Sequence, residues 1–344
     1  KKKLMELTIA NNIPPPNIFI DGLPRSGKSS LCQIIVSLKH SEHIDMATNL
    51  EYILMGRIFG KINNDFAKTY LKTFFNQSAY NKLIGRGVNF RPTDFTGVPN
   101  FRDPKIYYKR LKIFSYGKKK YHHKKTHIRV KSKNDPALSD IKSKYFFFPF
   151  QSHQLLCNFK EFKKLDLNYK IIEFLRNPID TTYSLISRGL LEGNAKKDPR
   201  KLNLDIIYNK KSLPWFVHGY EKEYCKANKF EKSALVVINE IKKIIKNKKL
   251  IKKSLGQKIL LIKFEDFVTN TNAEMKKISK FLNTSFTKST KNYIRDANCP
   301  RKIDSKISER KFLFLKKKIK NIKILNQLVK LEHDYKNNLY NLKN

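Results

Sequence analysis

The chain has 344 residues, of which 40% are apolar and 12% aromatic. That is enough for one large α/β domain with a sizeable core, and it excludes disorder of the whole chain. Lys and Arg number 72 against 29 Asp and Glu, a net charge of +43, but the excess is spread along the chain, which favours compositional drift over a specific nucleic-acid site.

The first predicted element is "NIFIDG", a buried strand that follows Pro14-Pro15-Pro16 and ends at Gly22. A glycine-rich turn and the helix "KSSLCQIIVSL" come next. Residues 91 to 140 carry few periodic signals and many Lys, Arg and His, and read as a basic surface insertion. Its His122, His123 and His127 stand among lysines with no carboxylate near, so a solvated loop fits better than a metal site. "YKIIEFL", 169 to 175, is a second strand, followed by a helix from about Asp180 to Arg188. The stretch 216 to 253 reads as long helix. "KILLIKF", 258 to 264, is a third strand and "NAEMKKISKFLN" the helix after it. Lys-rich helix returns from Ile307 to Leu342, within a C-terminal extension spanning 305 to 344. Short apolar strands alternating with helices imply one α/β domain over residues 1–344, with a parallel sheet covered on both faces.

Cys32, Cys157, Cys225 and Cys299 form no CxxC pair, which argues against zinc, and their low number suits a reducing compartment. No apolar run approaches the ~20 residues of a membrane span, and no leader follows Lys1-Lys2-Lys3. The expected location is the cytoplasm. Residue 1 is Lys and not Met, which leaves an upstream anchor open.

"GLPRSGKS" fits the phosphate-binding loop pattern, with Gly22, then four residues, then Gly27-Lys28-Ser29. Glycines let backbone N–H groups point inward, and the helix start adds a positive dipole. Arg25 and Lys28 add charge; Ser26, Ser29 and Ser30 add hydroxyl donors. Phosphate or sulfate binding follows, but the loop alone leaves the donor open, ATP included. A second constellation, "RNPIDTTYS", puts Arg176 at a strand end and Ser184 eight positions later. In open α/β sheets such ends line the ligand crevice. Two anion cradles suit a nucleotide phosphorylated at two places. A kinase needs an acidic partner for magnesium; the strong strand ends offer no obvious one, and Glu265-Asp266 is the only carboxylate pair at a strand end.

With these residues the chain resembles the sulfotransferases that use 3′-phosphoadenosine 5′-phosphosulfate (PAPS). "PRSGKSSL" is similar to their 5′-phosphosulfate loop, and "RNPIDTTYS" to their 3′-phosphate motif. "KFEDFVTNTNAEMKKISKFLN" is similar to their acidic strand end and following helix. The resemblance spans residues 18 to about 302 and implies a P-loop NTPase-like sulfotransferase fold, with PAPS as donor, PAP as product and no metal. It implies donor binding by Arg25, Ser26, Gly27, Lys28, Ser29, Ser30, Arg176 and Ser184. Arg301 and Lys302 resemble the family's late clamp on the 3′-phosphate, with Ile303 in place of its Gly. His153, 23 residues ahead of Arg176, stands where the family has its catalytic His, within Gln151-Ser152-His153 rather than Lys-Thr-His. An imidazole there can take the acceptor's proton near neutral pH.

The expected function is transfer of a sulfuryl group from PAPS to a hydroxyl or amine, with His153, Arg25 and Lys28 as the catalytic residues. The acceptor is unidentified. The lysines at 118 to 120, 124 and 125 suit an anionic one such as an acidic glycan. Lys28, where the family usually has Thr, keeps a magnesium–ATP kinase as the alternative. A non-enzymatic polyanion-binding protein is the third reading; it leaves the spacing of His153, Arg176 and Ser184 without a purpose.

Overall fold

The computed structural model describes residues 7–8, 16–94, 96–98, 105–108, 147–189, 191 and 204–337. The basic run with Lys118, Lys119, Lys120, Lys124 and Lys125, and the histidines at 122, 123 and 127, lie outside the described residues.

Strand β1, Asn17–Asp21, is buried along its whole length. It feeds helix α1, Lys28–Val36. A two-residue β2 (Asp45–Met46) precedes helices α2 (Thr48–Ile58) and α3 (Asn64–Leu83). Then come β3 (Phe148–Gln151), β4 (Tyr169–Leu175) and helix α4 (Pro178–Ser187). A small antiparallel hairpin, β5 (Asp205–Tyr208) and β6 (Lys211–Pro214), leads to helix α5 (Lys229–Lys246). Strand β7 (Ile259–Lys263) runs into α6 (Phe264–Thr269) and α7 (Thr271–Leu282), and α8 (Ser305–Lys318) and α9 (Ile322–Lys336) follow. Among the described residues no helix is long and apolar enough to cross a membrane.

The five-stranded sheet has the order β2-β3-β1-β4-β7, and every pairing is parallel. Both faces are covered, which is why the strands read as continuous apolar runs instead of alternating ones. One face sends Phe19 and Ile171 into a core with α2 and α3. The other sends Ile18, Ile20, Ile172 and Ile262 against α1 and α7. A third cluster, among α4, α5, α8 and α9, holds Leu235, Val237, Leu315 and Leu328. The chain leaves β1 toward β2 on one side, while β4 and β7 extend the other, so a crevice opens above the carboxyl end of β1.

The predicted strands at 17–22, 169–175 and 258–264 are present with boundaries within one residue. Strand β3 was not anticipated, because "FFFPF" carries a proline. Phe147 donates its N–H to His40 and Phe148 to Pro16, so the missing N–H of Pro149 falls on the β2 side. There β2 pairs only Phe150 and Gln151, and no ladder bond is lost. The hairpin was also missed. Its exposed residues bury little, and it turns on Asn209 and Lys210, both at positive φ (46° and 61°), as a two-residue hairpin loop requires. The predicted 216–253 helix breaks where Asn228 and Glu231 form a capping box that starts α5. The C-terminal helix breaks at Lys320 and Asn321, whose N–H groups both donate to the buried Glu231 carboxylate (3.0 and 2.8 Å).

Leu328 of α9 is fully buried in the third cluster. Leu328→Ala should therefore lower the unfolding free energy by about 2–5 kcal/mol, measured by urea denaturation. A cost under about 0.5 kcal/mol, the scale of an exposed site, would mean that α9 is not packed as described.

Candidate active site

The turn after β1 is built by glycines that no other residue replaces. Gly22 has φ +139°, and a Cβ there would come within 2.6 Å of the Phe174 carbonyl oxygen. Gly27 has φ +94°, and its Cβ would meet the Phe264 ring at 2.5 Å. Gly27 also caps α1 without any side-chain acceptor, and no acidic residue stands in the first turn. The helix start thus keeps N–H groups and its positive dipole for an anion. Ser29 and Ser30 are exposed there, and Ser29 donates to the Gln151 side chain at 3.3 Å.

Lys28 behaves differently from a free phosphate ligand. Its ammonium is buried and donates to the Gly22 and Leu23 carbonyls, at 2.8 and 3.0 Å. Burial lowers its pKa and the neighbouring Asp21 carboxylate opposes that. Asp21 is fully buried at the end of β1 and accepts from the Ser152 hydroxyl and the Leu155 and Leu156 N–H groups. Glu173 of β4 lies beside it; burial and the Asp21 charge push the Glu173 pKa well up. Burial raises the Asp21 pKa as well, against the opposing charge of Lys28.

The two sequence motifs meet at Arg25. Its Nε donates to Ser184 Oγ at 3.0 Å, and its carbonyl accepts from Arg176 Nη1 at 2.9 Å. Burial and the nearby charges of Arg188 and Arg176 lower the Arg25 pKa. The pKa of Arg176 also falls, through burial first, with Arg301 adding repulsion. Such crowding of guanidinium groups is relieved by an anion. Arg176 and Arg301 share the Phe264 ring, at 4.5 and 5.6 Å from its centroid. Lys302 is exposed. Two other polar groups of the second motif serve the fold. Asn177 caps α4 and donates to Glu332 of α9, and Asp180 pairs with Lys311 of α8 at 2.5 Å.

His153 stands just past β3, partly exposed. Glu51 of α2 accepts from its backbone N–H at 2.8 Å and faces its Nδ1 at 3.1 Å with the same oxygen. A carboxylate in that position selects the tautomer with hydrogen on Nδ1 and leaves Nε2 as a proton acceptor. Gln151, where the family has Lys, is buried and accepts from Ser29 and Cys32.

The family model for the sulfotransferase domain matches residues 15–320. The chain belongs to the sulfotransferase domain family. Sulfuryl transfer is the chemistry of that family. No curated protein matches the sequence. Among solved structures, the sulfotransferase domain of a Synechococcus olefin synthase is 12% identical, with 84% of this chain and 81% of that one covered and a TM-score of 0.40. A sulfotransferase from Alicyclobacillus acidocaldarius is 14% identical, with 92% and 96% covered and a TM-score of 0.38.

Four features of this sulfotransferase escaped the sequence reading: Glu51, Phe264, Arg188 and the Asp21–Glu173 pair. Phe264 and Glu173 sit inside strand-like runs, where a single aromatic or acidic residue carries no site signal. Glu51 is 102 positions from the histidine it contacts. Gly27→Ala tests the tight fit of loop against Phe264. It should cost about 1–3 kcal/mol of stability through strain at positive φ, read from the shift in urea midpoint; an unchanged midpoint would contradict the described loop.

Proposed function

We propose that this sulfotransferase moves a sulfuryl group from PAPS to a hydroxyl or amine of its acceptor. The observation that carries the reading is the convergence of the two motifs on Arg25, through the Arg176 and Ser184 contacts. A nucleotide phosphorylated at both the 5′ and 3′ positions suits two linked cradles. The crowded Arg25, Arg176 and Arg188 charges and the uncapped start of α1 suit its anionic groups. Bound there, PAPS would supply the activated sulfuryl group.

Under this reading His153 Nε2 accepts the acceptor's proton as the acceptor oxygen or nitrogen bonds to sulfur and the bond from sulfur to the bridging phosphate oxygen breaks. Glu51 holds the imidazole in the accepting tautomer. Arg25 and the α1 N–H groups stabilise the negative charge that gathers on the bridging and sulfuryl oxygens. Lys28, held on the Gly22 and Leu23 carbonyls, adds its positive charge to the loop. Arg176, Ser184, Arg301 and Lys302 hold the 3′-phosphate, while Ser26, Gly27, Ser29 and Ser30 line the 5′ end. Side chains thus supply the charge that a kinase takes from magnesium. Glu265, the strand-end carboxylate a kinase would need for its metal, is already engaged by the Asn177 N–H at 3.1 Å and by the Tyr335 hydroxyl.

Thermal shift with PAP against magnesium–ATP separates the readings. A ligand at one hundred times its Kd stabilises the fold by about 2.7 kcal/mol. PAP should do so in chelator; a response to magnesium–ATP alone would reverse the assignment.

Two variants divide the labour. His153→Ala should lower kcat by about 10²- to 10⁴-fold with PAP affinity intact, and Glu51→Leu by on the order of tenfold to a hundredfold, again without loss of PAP affinity. Arg176→Ala should weaken PAP by about 1.5–3 kcal/mol, the worth of a charge-assisted hydrogen bond, as read by calorimetry. Near-full kcat in the His153 variant would place the base elsewhere.

A further inference from the structure

A cavity of ≈ 240 Å³ lies behind the phosphate loop, against β4 and beneath α5. Its walls include Leu23, Leu156, Ile241, Ile244 and Leu261. At about 30 Å³ for each water-sized group, it has room for roughly eight of them, and a smaller apolar cavity of about 150 Å³ already takes up benzene. Ile245, 44% exposed, marks where the cavity reaches the surface.

Three polar groups lining this cavity have buried atoms without a hydrogen-bond partner: Ser26 Oγ, Glu173 Oε2 and Arg176 Nε. Ser26 and Glu173 are each 1% exposed. Thr181, which also lines it, spends its hydroxyl on the Asn177 carbonyl at 2.9 Å. Leaving a buried polar group unpaired costs about 1–3 kcal/mol, so three beside one apolar space call for a ligand of matching valence. Ser26 and Arg176 each offer a hydrogen, and Glu173 Oε2 offers lone pairs. A hydroxyl group presents two lone pairs and one hydrogen. It satisfies all three at once, whereas a ketone leaves Glu173 unpaired and a carboxylate sets a second acceptor against it.

We infer that this cavity is a binding site for a compact aliphatic alcohol, with its hydroxyl among Ser26, Glu173 and Arg176 and its hydrocarbon chain against the α5 isoleucines. Arg176 would then serve the alcohol through Nε and the donor nucleotide through its Nη groups, while the Ser26 hydroxyl goes to the alcohol. Pinning the Arg176 guanidinium from behind orders it for the nucleotide. By reciprocity the alcohol and PAP must alter each other's affinity by one common factor.

The test is calorimetry and thermal shift on the full chain with hexanol and with hexane. Hexanol should bind at least tenfold more tightly than hexane, raise the melting temperature, and tighten PAP several-fold. Ile241→Trp, which fills the cavity, should abolish the hexanol response and keep the PAP response. Should that variant fail to fold, Ile244→Phe takes its place. Equal binding of hexane, no response to hexanol at its solubility limit, or an undiminished response in the filled, folded variant would each overturn the site. Labelled PAPS then identifies the source of the alcohol. Hexyl sulfate would make it an acceptor, and binding without sulfation an effector; both keep the site. The calorimetric and thermal-shift readouts need no turnover, so a chain that bound hexanol and ignored PAP would sink the donor assignment alone.

Discussion

Everything around the crevice hangs on one buried carboxylate, Asp21 at the carboxyl end of the central strand. It accepts from Ser152, Leu155 and Leu156, and so fixes the segment after β3 against the end of β1. That segment carries His153. The same carboxylate lies in the field of Lys28, whose ammonium closes the loop on its own carbonyls. A charge this deep is expensive unless it is paired and hydrogen-bonded. Here three donors and an ammonium offset part of the cost; burial still raises the Asp21 pKa, and burial with the Asp21 charge raises that of the neighbouring Glu173.

The second motif is anchored from the opposite direction. Asn177, Asp180 and Glu265 tie the end of β4 and the start of α4 to the C-terminal helices, through Glu332, Lys311 and Tyr335. Those helices share a core with α4 and α5, and α9 also lines the cavity behind the loop, at Asp334 and Tyr335. Their polar contacts hold the strand end that presents Arg176. The arrangement has a physical logic: cations crowded for an anion repel each other in its absence, so the backbone beneath them must be rigid. Phe264 adds to this by packing under Gly27 while offering its ring to Arg176 and Arg301.

The sequence by itself determined β1, β4, β7 and the loop, because those signals are local. A buried parallel strand is a run of apolar residues, and a phosphate turn needs glycines at fixed spacing before a helix start. It also placed Arg25 in the turn after one strand, Arg176 at the end of another and Ser184 eight positions further on. It did not determine β3, since whether a proline is tolerated depends on which side its missing N–H faces and on how long the neighbouring strand is. Nor did it show that Lys28 turns inward, that Glu51 meets His153 across 102 positions, or that Asp21 and Glu173 lie opposite each other in the buried sheet. These are pairings between side chains brought together by strand order. Strand order is decided by how the helices cover both faces of the sheet, a global packing condition that no local pattern encodes.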